Sequence, residues 1–197
     1  MRLAVFGASG RTGRLVVERG SARGDDVTAI VRSEPRPPVA GAARTRPVDL
    51  GDAADIAAAL DGAEAVIWAI GPVAGVTRRE VSDALRTAVR AMREAGPRRV
   101  AATANGTVLT DDEVTGEYAN VAAEHRRNVE TLRASDLDWT VLAAPYLSDD
   151  AATGDVATVI DGKAHGRTLT RADFADALRD ALDRPEWIGH IIGVANR

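Results

Sequence analysis

The chain contains no cysteine, a single lysine (Lys163) among its 25 basic residues, and only 4% aromatic residues in 197. The missing thiols exclude disulfide frameworks, thiolate zinc sites, iron–sulfur clusters and cysteine nucleophiles. Three histidines, His125, His165 and His190, argue against an all-histidine metal site, so no metal is expected. Any chemistry that needs a lysine has Lys163 alone to use, although the arginine bias, with alanine also abundant, reads most simply as GC-rich codon usage. No apolar run approaches the roughly 18 residues of a membrane span. The first apolar stretch, 3–6, is too short for a signal-peptide core. With a net charge of −4 and a pI near 5.4, a general nucleic-acid binder is not expected either. These absences point to a soluble cytoplasmic protein.

What is present is an alternation. Apolar runs of strand length fall at 2–6, 27–31, 44–48, 65–70, 98–103, 139–143 and 188–194. Amphipathic helical stretches lie at 12–20, 53–60, 78–95, 119–134 and 171–182. Strands that are apolar throughout suit a sheet covered on both faces, and strand–helix alternation predicts a parallel α/β architecture. Thr77-x-x-Glu80 and Thr170-x-x-Asp173 read as capping boxes, and Gly96-Pro97 stops the third long helix. The proline-rich stretch 32–43 reads as a loop within the fold. Residues 147–170 alternate poorly and read as a small elaboration over the sheet edge. The expectation is one domain over 1–197, a Rossmann-like doubly wound, mostly parallel sheet with a small C-terminal cap.

The first strand runs directly into Gly7-Ala8-Ser9-Gly10-Arg11-Thr12-Gly13. Glycines at the first, fourth and seventh positions between a strand and a helix make a tight turn, let the protein backbone approach a pyrophosphate and let the helix pack closely on the strand. The following helix start offers unpaired N–H groups and a partial positive charge. Gly7, Ser9, Gly10, Arg11, Thr12 and Gly13 are therefore candidate cofactor contacts, with a solvated Arg11 the alternative for that side chain.

The second strand ends in Val31-Arg32, and not in the acidic residue that would accept hydrogen bonds from a ribose 2′-hydroxyl. Arg32, Ser33 and Arg36 together suit a 2′-phosphate, which arginine grips in a bidentate manner. That selects NADPH as the cofactor; Arg36 and Glu34 as solvated loop charges are the alternative. Asp49 and Leu50, after the third strand, are placed for the adenine, while Asp49 or Asp52 could instead cap the next helix. Ala69, Ile70 and Gly71, after the fourth, would run beside the ribose and diphosphate.

With these motifs in place, the chain resembles an atypical short-chain dehydrogenase/reductase of the NAD(P)H-binding, NmrA-like group, and within it the biliverdin-IXβ reductase/flavin reductase type. The resemblance is carried by 5–13, Val31-Arg32…Arg36, 124–128 and 132–140. Farther on it continues in Thr153-Gly154…Asp161-Gly162, Thr170-Arg171-Ala172-Asp173 and Ile188-Gly189-His190. It implies hydride transfer from NADPH to a planar conjugated acceptor: a flavin, tetrapyrrole or quinone.

Against that family, the Tyr-x-x-x-Lys dyad of typical members is absent; its two positions fall on Val121 and His125. The resemblance places Thr103 where an active-site hydroxyl lies. It also places Pro145 and Tyr146 where close relatives carry Pro-Pro-His. Thr103, His125 and Tyr146 are thus the candidate catalytic residues, with Thr103, Pro145 and Tyr146 also near the cofactor. His125 is weighed as a proton donor with an ordinary imidazole range, and an exposed structural histidine is the alternative. A non-catalytic NADP(H)-binding redox sensor of the NmrA-like type is the rival reading. The partners expected are a small planar acceptor, no nucleic acid and no membrane, with the chain a monomer or small homo-oligomer.

Overall fold

The computed structural model describes residues 1–32, 38–75 and 79–197. The first half alternates β1 (Arg2–Phe6), α1 (Arg11–Ala22), β2 (Asp26–Val31), β3 (Arg44–Pro47), α2 (Ala53–Ala59), β4 (Ala65–Trp68) and α3 (Glu80–Ala95). The second half continues with β5 (Arg99–Asn105), α4 (Ala119–Arg133), β6 (Asp138–Ala144), β7 (Tyr146–Ser148), β8 (Val156–Ile160), β9 (Thr168–Thr170), α5 (Arg171–Ala181) and β10 (His190–Asn196).

The strands order as β3-β2-β1-β4-β5-β6-β10-β8, parallel except for β8, which runs antiparallel to β10 at the edge. This is the doubly wound, Rossmann-like sheet expected of the alternation. Its central strands β1, β4, β5, β6 and β10 are apolar on both sides because helices cover both faces, while the edge strands β3 and β8 are largely exposed. Phe6, Val66, Trp68 and Val100 pack with α2, α3 and α4, and the rings of Phe6 and Trp68 lie 5.0 Å apart. Val5, Ile67, Ala101 and Leu142 pack with α1 and α5 on the other face. A buried ion pair locks the second layer: Arg179 of α5 grips both carboxylate oxygens of Asp25, which also pairs with the amino terminus.

Residues 147–170, read as a small cap, contain β8, which joins the main sheet, while β9 forms a two-stranded parallel sheet with β7. β4 ends at Trp68, two residues earlier than the apolar run suggests. The first loop packs closely against this point: a Cβ on Gly7 would sit 2.8 Å from the Ala69 carbonyl oxygen. Helix α3 begins at Glu80, and Thr77 of the expected capping box lies outside the described residues.

Candidate cofactor cleft

The cleft begins where β1 ends. Gly7 adopts φ +74°, the left-handed region that favours glycine, and its carbonyl accepts the N–H of Gly10 at 2.9 Å. A Cβ on Gly13 would stand 2.1 Å from the Gly7 oxygen, so the close packing of α1 on the loop requires glycine at this position. Gly10 is the N-cap of α1 and offers no side-chain oxygen, and the first turn of α1 holds no acidic residue. Three of the other helices have a side-chain oxygen for this purpose, Asp52 on α2, Thr170 on α5 and Glu124 of α4 on α3, while α4, like α1, starts without one. The α1 terminus keeps its N–H groups and its partial positive charge for a ligand, which suits a pyrophosphate.

From this turn a cleft of about 610 Å³ extends along the carboxyl ends of the strands. Gly7, Ser9 and Gly10 form one end of its lining, Arg32 closes β2, and Leu50 and Gly51 follow β3. Ala69, Ile70 and Gly71 line it after β4, as the sequence reading places them. The remaining wall, not foreseen from the sequence, is α3 through Glu80, Val81, Asp83, Ala84 and Thr87, with Asn120 of α4 beside it.

Arg32 also borders a shallower depression shared with Asp49 and Asp55. The two candidate helix caps after β3 separate cleanly. Asp52 caps α2, accepting the Ala54 N–H at 2.8 Å, whereas Asp49 shapes its own turn by accepting the Gly51 N–H at 2.9 Å. Ser33 and Arg36 lie outside the described residues. Thr12 and Gly13 sit in the first turn of α1 behind the loop and do not line the cleft, and neither does Arg11. The Arg11 guanidinium instead pairs with Asp149 at 3.1 Å, and Asp149 pairs in turn with the nearly buried Arg171 at 3.0 Å.

The three candidate chemical residues are not gathered into one constellation. Thr103 is buried in β5, and it alternates with Ala102 and Ala104, which face the α2–α4 layer. Its side chain therefore points toward the α1–α5 layer. His125 lies on α4, in the opposite layer, and the expectation that it titrates near neutrality is corrected. Burial pushes its pKa down to about 4, against a smaller opposing pull from Glu124, so the imidazole is neutral at pH 7. Its Nδ1 has no hydrogen-bond partner among the described residues. Tyr146 stands 74% exposed just beyond the end of β6, next to Pro145.

Sequence reasoning passed over Glu124, the wholly buried carboxylate of α4. Burial alone would raise its pKa, but the bonds from Arg127 and Ser82 hold it below the ordinary value. Its spacing to Arg127 was visible in the sequence, but its reach to α3 was not.

The glycine turn, the uncapped helix start and the loops beyond β2, β3 and β4 define a dinucleotide-binding α/β domain. The chain belongs to the NAD(P)H-binding family, whose model matches residues 7–185. A Bacillus halodurans protein provisionally assigned as an NAD-dependent epimerase/dehydratase superimposes with TM-score 0.88 at 23% identity, covering 100% of this chain and 94% of that one. SP1627 of Streptococcus pneumoniae TIGR4, provisionally assigned as an NADH-flavin reductase, gives 0.81 at 22%, covering 100% of both. ChuY, an anaerobillin reductase from Escherichia coli O157:H7, gives 0.83 at 22%, covering 100% and 97%. At these identities the likeness establishes the fold. No described helix is long and apolar enough to cross a membrane.

Proposed function

We propose that the protein is an NADPH-dependent reductase whose acceptor is a small, planar, conjugated molecule of the flavin, tetrapyrrole or quinone class. The observation that carries this reading is the cleft itself. It runs from an α-helix terminus left without a cap, past Arg32, along loops of small and apolar residues. Two structural neighbours bearing flavin-reductase and anaerobillin-reductase names support the acceptor class.

The family's cofactor fits the residues present. Gly7, Ser9 and Gly10 would hold the diphosphate, Arg32 the 2′-phosphate with Ser33 and Arg36, and Leu50 and Asp49 the adenine. Ile70 and Gly71 would border the ribose. When bound, the reduced nicotinamide supplies a hydride.

The protein's own part is placement. Orienting two reactants in one site is worth about 7–11 kcal/mol of the barrier. Tyr146, exposed beyond β6, is the aromatic face available for stacking on an acceptor, whereas Thr103, buried in β5 and turned toward the α1–α5 layer, would act from the side opposite the α3 wall. His125 is buried and neutral, so the proton comes from solvent. That suits an acceptor whose reduced form exchanges protons with water and needs no Tyr-x-x-x-Lys pair.

The test is loss of NADPH absorbance with FMN, FAD, riboflavin, biliverdin and quinones, beside an NADH control and an enzyme-free blank. Saturable turnover with one of them is the expected result. Tight NADPH binding without turnover across the panel would replace this reading with a redox sensor.

A further inference from the structure

We propose that Glu124 is a positioning residue for cofactor binding, holding the α3 wall of the cleft in place from behind. The inference rests on membership of the NAD(P)H-binding family and not on the identity of any acceptor.

Among the described residues, the N-cap residue Arg79 makes no side-chain cap bond to the first turn of α3. The N–H groups of Val81 and Ser82 donate to Glu124 Oε2 at 3.0 and 2.9 Å. The Ser82 hydroxyl donates to Oε1 at 2.7 Å, and Arg127 Nε donates to the same oxygen at 3.0 Å. Both carboxylate oxygens are thus engaged, and the side chain is shut off from water. A buried charge with these partners cannot slide: any shift of α3 along α4 leaves either two helix-start donors or the carboxylate unsatisfied.

What Glu124 holds is the cleft surface. Val81, which donates to it, lines the cleft, as does Ala84 on the next turn of α3. Asn120, which also lines the cleft, is one turn before Glu124 on α4. The carboxylate therefore fixes the two helices at the point where both meet the cofactor's path.

A merely stabilising role makes a different forecast, and a matched control separates the two. Asp173 is another buried carboxylate that gathers backbone and side-chain donors, here from Thr153, Gly154 and Asn196, none of which lines the cleft. The experiment measures Kd for NADP+ and NADPH by calorimetry, together with Tm, in wild type, Glu124→Gln, Glu124→Asp and Asp173→Asn. Glu124→Gln is expected to weaken cofactor binding about tenfold or more, with Glu124→Asp in between, while Asp173→Asn lowers Tm yet changes Kd by less than about twofold. If Glu124→Gln does not fold, Glu124→Asp decides by the same comparison. Unchanged Kd in a folded Glu124 variant, or an equal loss in Asp173→Asn, overturns the proposal. Wild type that binds neither nucleotide overturns it too, and shows before any substitution that the cofactor reading itself has failed.

Discussion

Arg11, the first residue of α1, and Asp149, just past β7, form an ion pair at 3.1 Å across 138 positions of sequence. It places a carboxylate beside the helix terminus that a cofactor's phosphates would occupy. Both side chains are largely exposed, so the pair adds little to stability, about 0–1 kcal/mol. A ligand phosphate reaching Arg11 would have to compete with Asp149 for it. Asp149→Asn is expected to tighten NADPH binding roughly two- to fivefold, to steepen its dependence on salt, and to lower Tm because the nearly buried Arg171 loses its carboxylate partner. Titration at two ionic strengths checks this; weaker binding in the variant would show that Asp149 supports the phosphate site instead.

Gly13 packs α1 onto the glycine turn from behind, Gly71 lines the cleft, and the two tolerate a methyl group differently. A Cβ on Gly13 meets the Gly7 oxygen at 2.1 Å, whereas one on Gly71 meets nothing within 4 Å. Gly13→Ala is expected to cost about 1–3 kcal/mol and most cofactor affinity, with Gly71→Ala within about 0.5 kcal/mol of wild type in stability. Urea melts of the two variants provide the comparison, and equal destabilisation would refute it.

The proposed preference for NADPH rests on Arg32, which lines the cleft at the end of β2. One charge-assisted bond to a 2′-phosphate is worth about 1.5–3 kcal/mol, so Arg32→Glu should weaken NADPH relative to NADH by roughly 10- to 100-fold or more. Equal losses for both nucleotides would mean that Arg32 does not read the phosphate.

Asp173 gives the fold an acid limit. Burial alone would raise its pKa, but N–H groups of Thr153 and Gly154, with Asn196 and the Thr153 hydroxyl, pull it well below the usual carboxylate range. A depressed folded-state pKa contributes stability that is present above the unfolded value near 3.9 and is lost as pH falls below it. Asp173→Asn is expected to cost about 2–3 kcal/mol at pH 7, and the gap from wild type should shrink below about pH 4. Unfolding curves from neutral pH downward measure it; a gap independent of pH would count against the account.

His125 acts in a higher window. Its pKa is about 4 folded and near 6.5 unfolded, so the unfolded chain takes up the proton first and stability falls as pH drops between those values. The full loss is about 3 kcal/mol, and His125→Leu should remove that slope. The pH profile of turnover should also show no step from His125 near 6.5. An NMR titration placing the imidazole near 6.5 would contradict both statements.

The features legible in the sequence were those in which cause and effect lie close along the chain. The turn from Gly7 to Gly13, the parallel alternation and the hydroxyl cap of Thr170 on α5 are all local, and each stands as read. The same Thr170 box shows the limit. Its Asp173 also reaches to Thr153 and Gly154, a connection no spacing rule reports. The cap of α3 comes from Glu124, 42 residues beyond Ser82. Edge strand β8 escaped notice because Val159 and Ile160 are apolar yet exposed, which erases the alternation of a half-buried strand. The burial of His125 could have been found. It shares a helical stripe with Val129 and Leu132, both buried, but its neighbours Glu124, Arg126 and Arg127 made the segment look wet.

The sheet order has one further consequence, for how such a chain can change over generations. The loops that line the cleft beyond the strand ends come from the first 75 residues, while 150–170 line none of it and build the far edge of the sheet. Substitutions in that edge segment can accumulate without loosening the grip on the nucleotide. A lineage built on this plan is therefore free to explore new chemistry at one end while inheriting the other intact.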